Sequence, residues 1–443
     1  MRLSVRHALP RGRAGCYCLP MVRKLSFSIG IALSIVGFFL AGSLAGTAAN
    51  HLEGLLQQKR YLELERSIDE PLSLEESAFF RGIMTNRKNQ VEESIRLLEP
   101  LAPKLAAQGP SWREQEVLRT LADDYSKTFE YAKSADTFSI LLKRYGKTLS
   151  RQEYRTASDR RDEMRLLRSA PRQTVELNSS ARLPVTRNAL GLIEMPVEAN
   201  GKAELWVLDT GANTSVVTES TATRIGLKLL DGSAKTGDIN GTAVSFRVGV
   251  LAQLKIGNAV FHNVELPVAS DQTLNIAGSQ IQGIIGFPVQ SALGRITIYA
   301  DGQVGINTES AKQPASELFM EEQMPLAVVK AVGGEHLFSL DTGAGGSTFG
   351  VRFYKVVKPQ LTEAMRAKSD LAGAGGTRHL RSYQMPDLAL GLGGQEITLP
   401  AAAILAEPNG PVDMFFGNLG QDVFGAFKSY TIDFQNMTFT AQK

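Results

Sequence analysis

Beyond Cys18 the sequence has no cysteine; its only two, Cys16 and Cys18, lie among the first twenty residues. The rest of the chain must fold without disulfides, and it offers neither a thiol nucleophile nor a cysteine-held metal site. Histidine is scarce too. The five present (His7, His51, His262, His336, His379) stand at no metal-ligand or triad spacing. His262 and His336, on expected strands, are read as structural or surface residues. A basic surplus is also missing, despite a formal charge of +3. Six of the positive residues crowd into positions 1–49 with no acid among them, and the remainder carries 42 basic against 45 acidic side chains. A net of −3 outside the leader argues against nucleic acid as a partner.

What is present begins with those six charges. They precede or open an apolar run from Leu25 to Ala45, which leaves through the small residues of Gly42–Ala49. Positive flank, apolar stretch and small-residue exit make an export signal. The run is also about as long as a bilayer core requires, so cleavage and retention as an inner-membrane anchor both stay open. Either way, the residues that follow cross the membrane, and export without disulfides fits a bacterial periplasm. Any membrane contact is expected only through residues 25–45. Met21 opens a natural signal, so residues 1–20 read as a leader that is an over-extension and 21–49 as the signal or anchor.

Residues 50–170 are rich in Leu, Glu, Arg and Ala and poor in glycine. Phe79, Phe80, Ile83 and Met84, then Ile95, Leu97, Leu98 and Leu101, recur at helical spacing. Ala78–Pro103 is expected as two helices with a turn near Asn86–Gln90, and Ser111 to Glu114 as a capping box. Small and aromatic residues on facing helices resemble tetratricopeptide units, though a plain bundle of helical hairpins explains the pattern equally.

Near Pro171 the composition changes. Residues 171–183 are expected as a polar linker, and beyond them Val, Ile, Thr and Gly in short alternating runs predict β-structure. This part is an internal repeat. Asn200-Gly201 and Gly333-Gly334 mark hairpin turns, each followed by an apolar strand into Asp-Thr-Gly-Ala at Asp209 and Asp341. Gly201 and Gly333 each precede their aspartate by 8 residues, an offset of 132 between copies. Downstream, Gly257 answers Gly391 and Gly286 answers Gly420, at an offset of 134. One Asp-Thr-Gly is a weak signal; two, in matched hairpins with matched glycines, mark a duplication.

Two carboxyls held face to face cannot both ionise, so they share one proton, and such a pair can activate a water and polarise a carbonyl without metal or cofactor. Apolar residues leading into Asp-Thr-Gly-Ala, with an apolar-Gly pair 77 and 79 residues later, resemble the retropepsin and pepsin superfamily of aspartic peptidases across residues 184–443. The resemblance implies Asp209 and Asp341 as the catalytic pair, supported by Thr210, Gly211, Thr342 and Gly343. It implies psi-loop glycines at Gly286 and Gly420, and flaps at Gly237–Thr242 (Ile239, Asn240, Gly241) and Ala372–Thr377 (Gly375, Gly376). Two departures stand out. Neither flap has the tyrosine of the pepsin form, and the second copy has Asn418 and Gln421-Asp422 where the first has Ile284 and Phe287.

The expected fold is thus an N-terminal all-α helical-hairpin region (50–170), then an all-β, pseudo-twofold, double-lobed acid-protease barrel with lobes at 184–310 and 311–443. The expected function is an exported aspartic endopeptidase that needs no metal or cofactor and acts on a protein or peptide substrate, with the helices free to bind a protein partner. The competing reading is a non-catalytic periplasmic adaptor whose helices and inert lobes bind peptides.

Overall fold

The structure is a computed structural model describing residues 47–237, 243–308, 314–373, 376–408 and 410–443. The leader at 1–20, the apolar run at 25–45 and the hairpin-tip residues Ile239, Asn240, Gly241 and Gly375 lie outside them. No helix among the described residues is long and apolar enough to cross a membrane.

Residues 47–166 are helical: α1 (47–57), α2 (Tyr61–Ser67), α3 (Leu74–Arg87), α4 (Val91–Leu98), α5 (Leu101–Gln108), α6 (Trp112–Lys127), α7 (Tyr131–Tyr145) and α8 (Arg151–Leu166). The break after α3 falls at the expected turn, where Asn89 takes a left-handed φ of 57°. Gly82 sets how closely α3 and α4 pack, since a Cβ there would lie 2.4 Å from Leu98 Cδ2. Ala48 and Ala49, expected at the exit of the leader, are instead buried in α1. The capping box expected at Ser111 forms only in half. Ser111 Oγ accepts from Glu114 N (3.2 Å), but the Glu114 carboxylate turns to Tyr145 and Arg144 of α7. Complete boxes form at Ser73/Glu76 and Ser150/Glu153, opening α3 and α8.

The β-rich part closes two six-stranded rings. The first consists of β1 (Ile193–Ala199), β2 (Lys202–Leu208), β3 (Val216–Thr218), β4 (Ala243–Ile256), β5 (Ala259–Ala269) and β6 (Gly283–Ile285). Its order is β1-β2-β6-β3-β5-β4, and β4 returns to β1 through Glu198↔Lys255 and Ala199↔Leu254, which makes a small barrel. The second ring uses β7 (Met324–Ala331), β8 (Gly334–Leu340), β9 (Thr348–Phe349), β10 (Gly376–Leu392), β11 (Gln395–Leu405) and β12 (Gly417–Leu419). Its order, β7-β8-β12-β9-β11-β10, repeats the first and closes through Lys330↔Gly391. Both rings set the strand before Asp-Thr-Gly parallel to the short strand before the downstream glycine.

A further antiparallel array joins the halves. Arg295–Tyr299 pairs with Ser429–Asp433, flanked by Gln303–Ile306 on one side and by Thr438–Gln442 and Ser316–Glu321 on the other. The expected linker 171–183 is not free chain. Thr174–Leu177 pairs with β5, and Ala181–Pro184 extends the joining array beside Gln303–Ile306. Polar residues there satisfy the solvent side of edge strands, which is why composition alone resembles a connector.

The helices dock on both halves. Tyr61, Phe79, Phe80 and Leu98 share one apolar core with Phe319, Leu326, Val328 and Phe415. Tyr131, Ala135, Met164 and Leu167 share another with Ala234, Phe246 and Val248.

Candidate active site

Each Asp-Thr-Gly loop leaves the end of a buried strand: Trp206-Val207-Leu208 before Asp209, and Phe338-Ser339-Leu340 before Asp341. Asp209 N donates to Ile285 O (3.2 Å) and Asp341 N to Leu419 O (3.0 Å), so each loop hangs from the parallel ladder of its ring. The two threonines then cross. Thr210 Oγ1 donates to Leu340 O (2.8 Å) and accepts from Thr342 N (3.0 Å). Thr342 Oγ1 donates to Leu208 O (2.7 Å) and accepts from Thr210 N (3.1 Å). These four buried bonds hold the loops together within one chain.

The aspartates meet as a result. A Cβ on Gly211 would lie 2.7 Å from Asp341 Cγ, and one on Gly343 2.4 Å from Asp209 Cγ, so each carboxyl lies against the glycine of the opposite loop. The two carboxyls hydrogen-bond to each other, and both are half-buried. Burial first, then the charge of Asp341, pushes Asp209 up to about 8, against the pull of the Gly211 and Gly343 N–H groups. Asp341 is also raised by burial, but four groups hold it back: the Asn418 amide, the Asp209 carboxyl, and the N–H groups of Gly343 and Ala344. Gly211 N donates to Asp209 Oδ1 at 2.8 Å. The pair is therefore set to share one proton between two acids.

Gly286 and Gly420 sit where a chain passes directly behind the loops. A Cβ at Gly286 would come 2.2 Å from the Thr214 carbonyl carbon, and one at Gly420 2.7 Å from Ala344 O. Two serines escape a motif search yet occupy matched places. Ser215 Oγ accepts from Gly286 N (3.0 Å) and Ser347 Oγ from Gly420 N (2.9 Å). Their signal lies in the repeat itself, a serine six residues after each aspartate. Of the hairpin residues, Gly376 pairs with Gly373 at the end of the second hairpin; the remaining four lie outside the described residues.

The departures between copies resolve differently. Asp422 accepts from Ser347 N (2.9 Å) and Ser347 Oγ (2.6 Å), so it braces its own loop. Gln421 Nε2 ties the start of the following helix to Thr342 O (2.7 Å). Asn418 faces the site, donating from Nδ2 to Asp341 Oδ2 (2.8 Å). With its amide oriented to satisfy both neighbours, Gln323 donates to Asn213 O (2.6 Å) and accepts from Arg160 (3.0 Å), so α8 reaches the loop that follows Asp209. Among the described residues no three His, Cys, Asp or Glu side chains are grouped to hold a metal ion.

A family model described as aspartyl protease matches residues 195–289. That stretch holds Asp209, Thr210, Gly211 and Gly286 and ends before the second half begins. No curated protein matches the chain.

Proposed function

We propose that the chain is an aspartic endopeptidase whose two lobes, related by a pseudo-twofold axis, each supply one catalytic carboxyl, Asp209 and Asp341. The observation that carries this reading is the mutual contact of those carboxyls, locked by the crossed Thr210–Thr342 bonds. The aspartyl protease match over the first half supports it.

The chemistry follows from one shared proton. The ionised carboxylate takes a proton from a water lying between the acids, and the water oxygen bonds to the peptide carbonyl carbon. The protonated carboxyl gives its proton to the carbonyl oxygen, leaving a neutral gem-diol. Collapse breaks the C–N bond: one hydroxyl proton passes to the carboxylate that had protonated the carbonyl, and the carboxyl that had taken the water's proton gives it to the leaving nitrogen, which departs as an amine. Atoms and charge balance, and the pair ends with the single proton it began with. A peptide lies extended in the cleft between the lobes, with the paired strands Ala234–Gly237 beside β4 and Arg366–Gly373 beside β10 belonging to the flaps.

The helical region, of tetratricopeptide-like character, is proposed to recruit a protein partner or substrate. The leader is proposed to deliver the protein to the periplasm.

The test is incubation of the chain from residue 47 onward with an unbiased peptide mixture, beside Asp209→Ala and Asp341→Ala. The native protein is expected to cleave internal bonds, and each variant to lose about a thousandfold or more. Cleavage unchanged in either variant removes the mechanism. A native protein that binds peptides without cutting them is the adaptor instead.

A further inference from the structure

The two rings are alike in backbone and unlike at one lattice position beside the acids. In the first ring Ile284 stands across the ladders from Val207 and Val216, and all three pack in one apolar cluster. The equivalent residues of the second ring are Asn418, Ser339 and Thr348, in the same register. Three apolar residues on one side have become three polar ones on the other. The polar set is ordered toward the acid. Ser339 Oγ donates to Asn418 Oδ1 (2.5 Å), which fixes the amide so that Nδ2 points at Asp341 Oδ2 (2.8 Å).

We infer that Asn418, oriented by Ser339, is a positioning residue that makes Asp341 the ionised member of the pair and Asp209 the holder of the shared proton before substrate arrives. This rests on the proposed protease reading and assigns its two roles: Asp341 accepts the proton of the attacking water, and Asp209 protonates the carbonyl oxygen. An amide N–H can only donate, so it stabilises a carboxylate and offers nothing to a protonated oxygen in the same place. Asp209 is reached by backbone N–H groups, Gly211 N among them (2.8 Å), but among the described residues no side-chain amide donates to it, and apolar Val207 and Ile284 stand where the second ring has Ser339 and Asn418. Among the described residues, the groups acting most strongly on the pair are each other's carboxyl, the N–H groups of Gly211, Gly343 and Ala344, and the Asn418 amide. The direction of the shifts agrees, since Asp209 is the acid pushed far up and Asp341 the one that Asn418 holds back.

The test titrates each acid alone by carbon NMR of aspartate-labelled protein, which needs no cleavage. In an Asp209→Asn background, adding Asn418→Ile, the residue the first ring already uses, is expected to raise the Asp341 pKa by about one unit, the worth of a charge-assisted hydrogen bond. In an Asp341→Asn background the same change is expected to leave Asp209 unmoved. Ser339→Val, which only frees the amide, is expected to move Asp341 the same way by less, and stands in should Asn418→Ile not fold. With a cleaved peptide, the acid limb of kcat/KM moves up by about one unit in Asn418→Ile while the alkaline limb stays. An Asp341 pKa unmoved in a folded variant, or equal movement of both acids, overturns the assignment. Should the titration shift appear in a protein that cleaves nothing, Asn418 keeps its role and the protease reading falls.

Discussion

Thr210 and Thr342 show how much one hydroxyl can carry. Each makes one bond as donor and one as acceptor to the opposite loop, all in buried surroundings. Thr210→Val keeps the shape but strands the Leu340 carbonyl and the Thr342 N–H. Stranded buried groups cost about 1–3 kcal/mol each, so a loss of about 3 kcal/mol is expected, read from the denaturant midpoint. Thr342→Val is expected to cost the same, because its bonds mirror those of Thr210. Gly286 is a different case. Its φ of −99° is open to any residue, so Gly286→Ala costs through collision alone, Cβ against the Thr214 backbone. About 2 kcal/mol or more is expected from such overpacking. Gly201, with φ of 77° and no neighbour near its Cβ, is expected to lose only about 1 kcal/mol as alanine, from backbone strain. Thermal unfolding of the two variants side by side separates steric from conformational cost.

Among the elements, α6 carries a buried acid that links the helices to pH. Asp124 accepts from Asn86 Nδ2 (2.7 Å) and Ser94 Oγ (2.6 Å), bonds that tie α3 and α4 to α6. Burial first, then the charge of Asp123, pushes Asp124 up to about 7. A raised folded-state pKa means the folded protein holds the proton more tightly than the unfolded chain. The resulting stability is complete below the ordinary carboxylate value and fades as pH rises to about 7. Unfolding free energy is expected to fall by an amount on the order of 3 kcal/mol between pH 4 and 7 from this group. Asp124→Asn, which keeps the neutral shape, is expected to flatten that slope in denaturant titrations across the range.

The whole molecule is held together at a buried charge cluster between helices and β-structure. Glu321 takes hydrogen bonds from Lys59 and Tyr61 and faces Arg87 Nε at 3.8 Å. Burial alone would raise its pKa, but the charges of Lys59 and Arg87 hold it down to about 2. With the folded value depressed, its contribution is intact above the ordinary glutamate range and lost only as pH falls toward 2. Glu321→Gln takes the acid from part-buried Lys59 and leaves buried Arg87 with Glu116 alone among the described residues. Breaking one partner of a buried pair costs about 3–5 kcal/mol. Calorimetry is expected to show a lower midpoint and the helical region melting apart from the β-rich part. A single transition at the native midpoint contradicts this.

How much of this was legible depends on the distance over which each pattern acts. Helices α3 and α4, the turn at Asn89 and the duplicated Asp-Thr-Gly hairpins follow from neighbours a few residues apart, where periodicity and turn chemistry are local. Ser215 and Ser347 were also within reach, as a third match in the repeat. Asn418 was visible only as a departure from symmetry. Its contact spans 77 residues and exists because the ring closes with β12 parallel to β8. The strands at 174–177 and 181–184 took their places because open sheet edges lay near them, a fact that composition does not record. The sequence by itself determined the order of helical and β-rich parts and the presence of two acids in equivalent loops. Only the tertiary structure decided that the loops interlock, which acid has the amide beside it, and where the helices dock. Those contacts join residues far apart in the chain, and their partners exist only once both rings have closed.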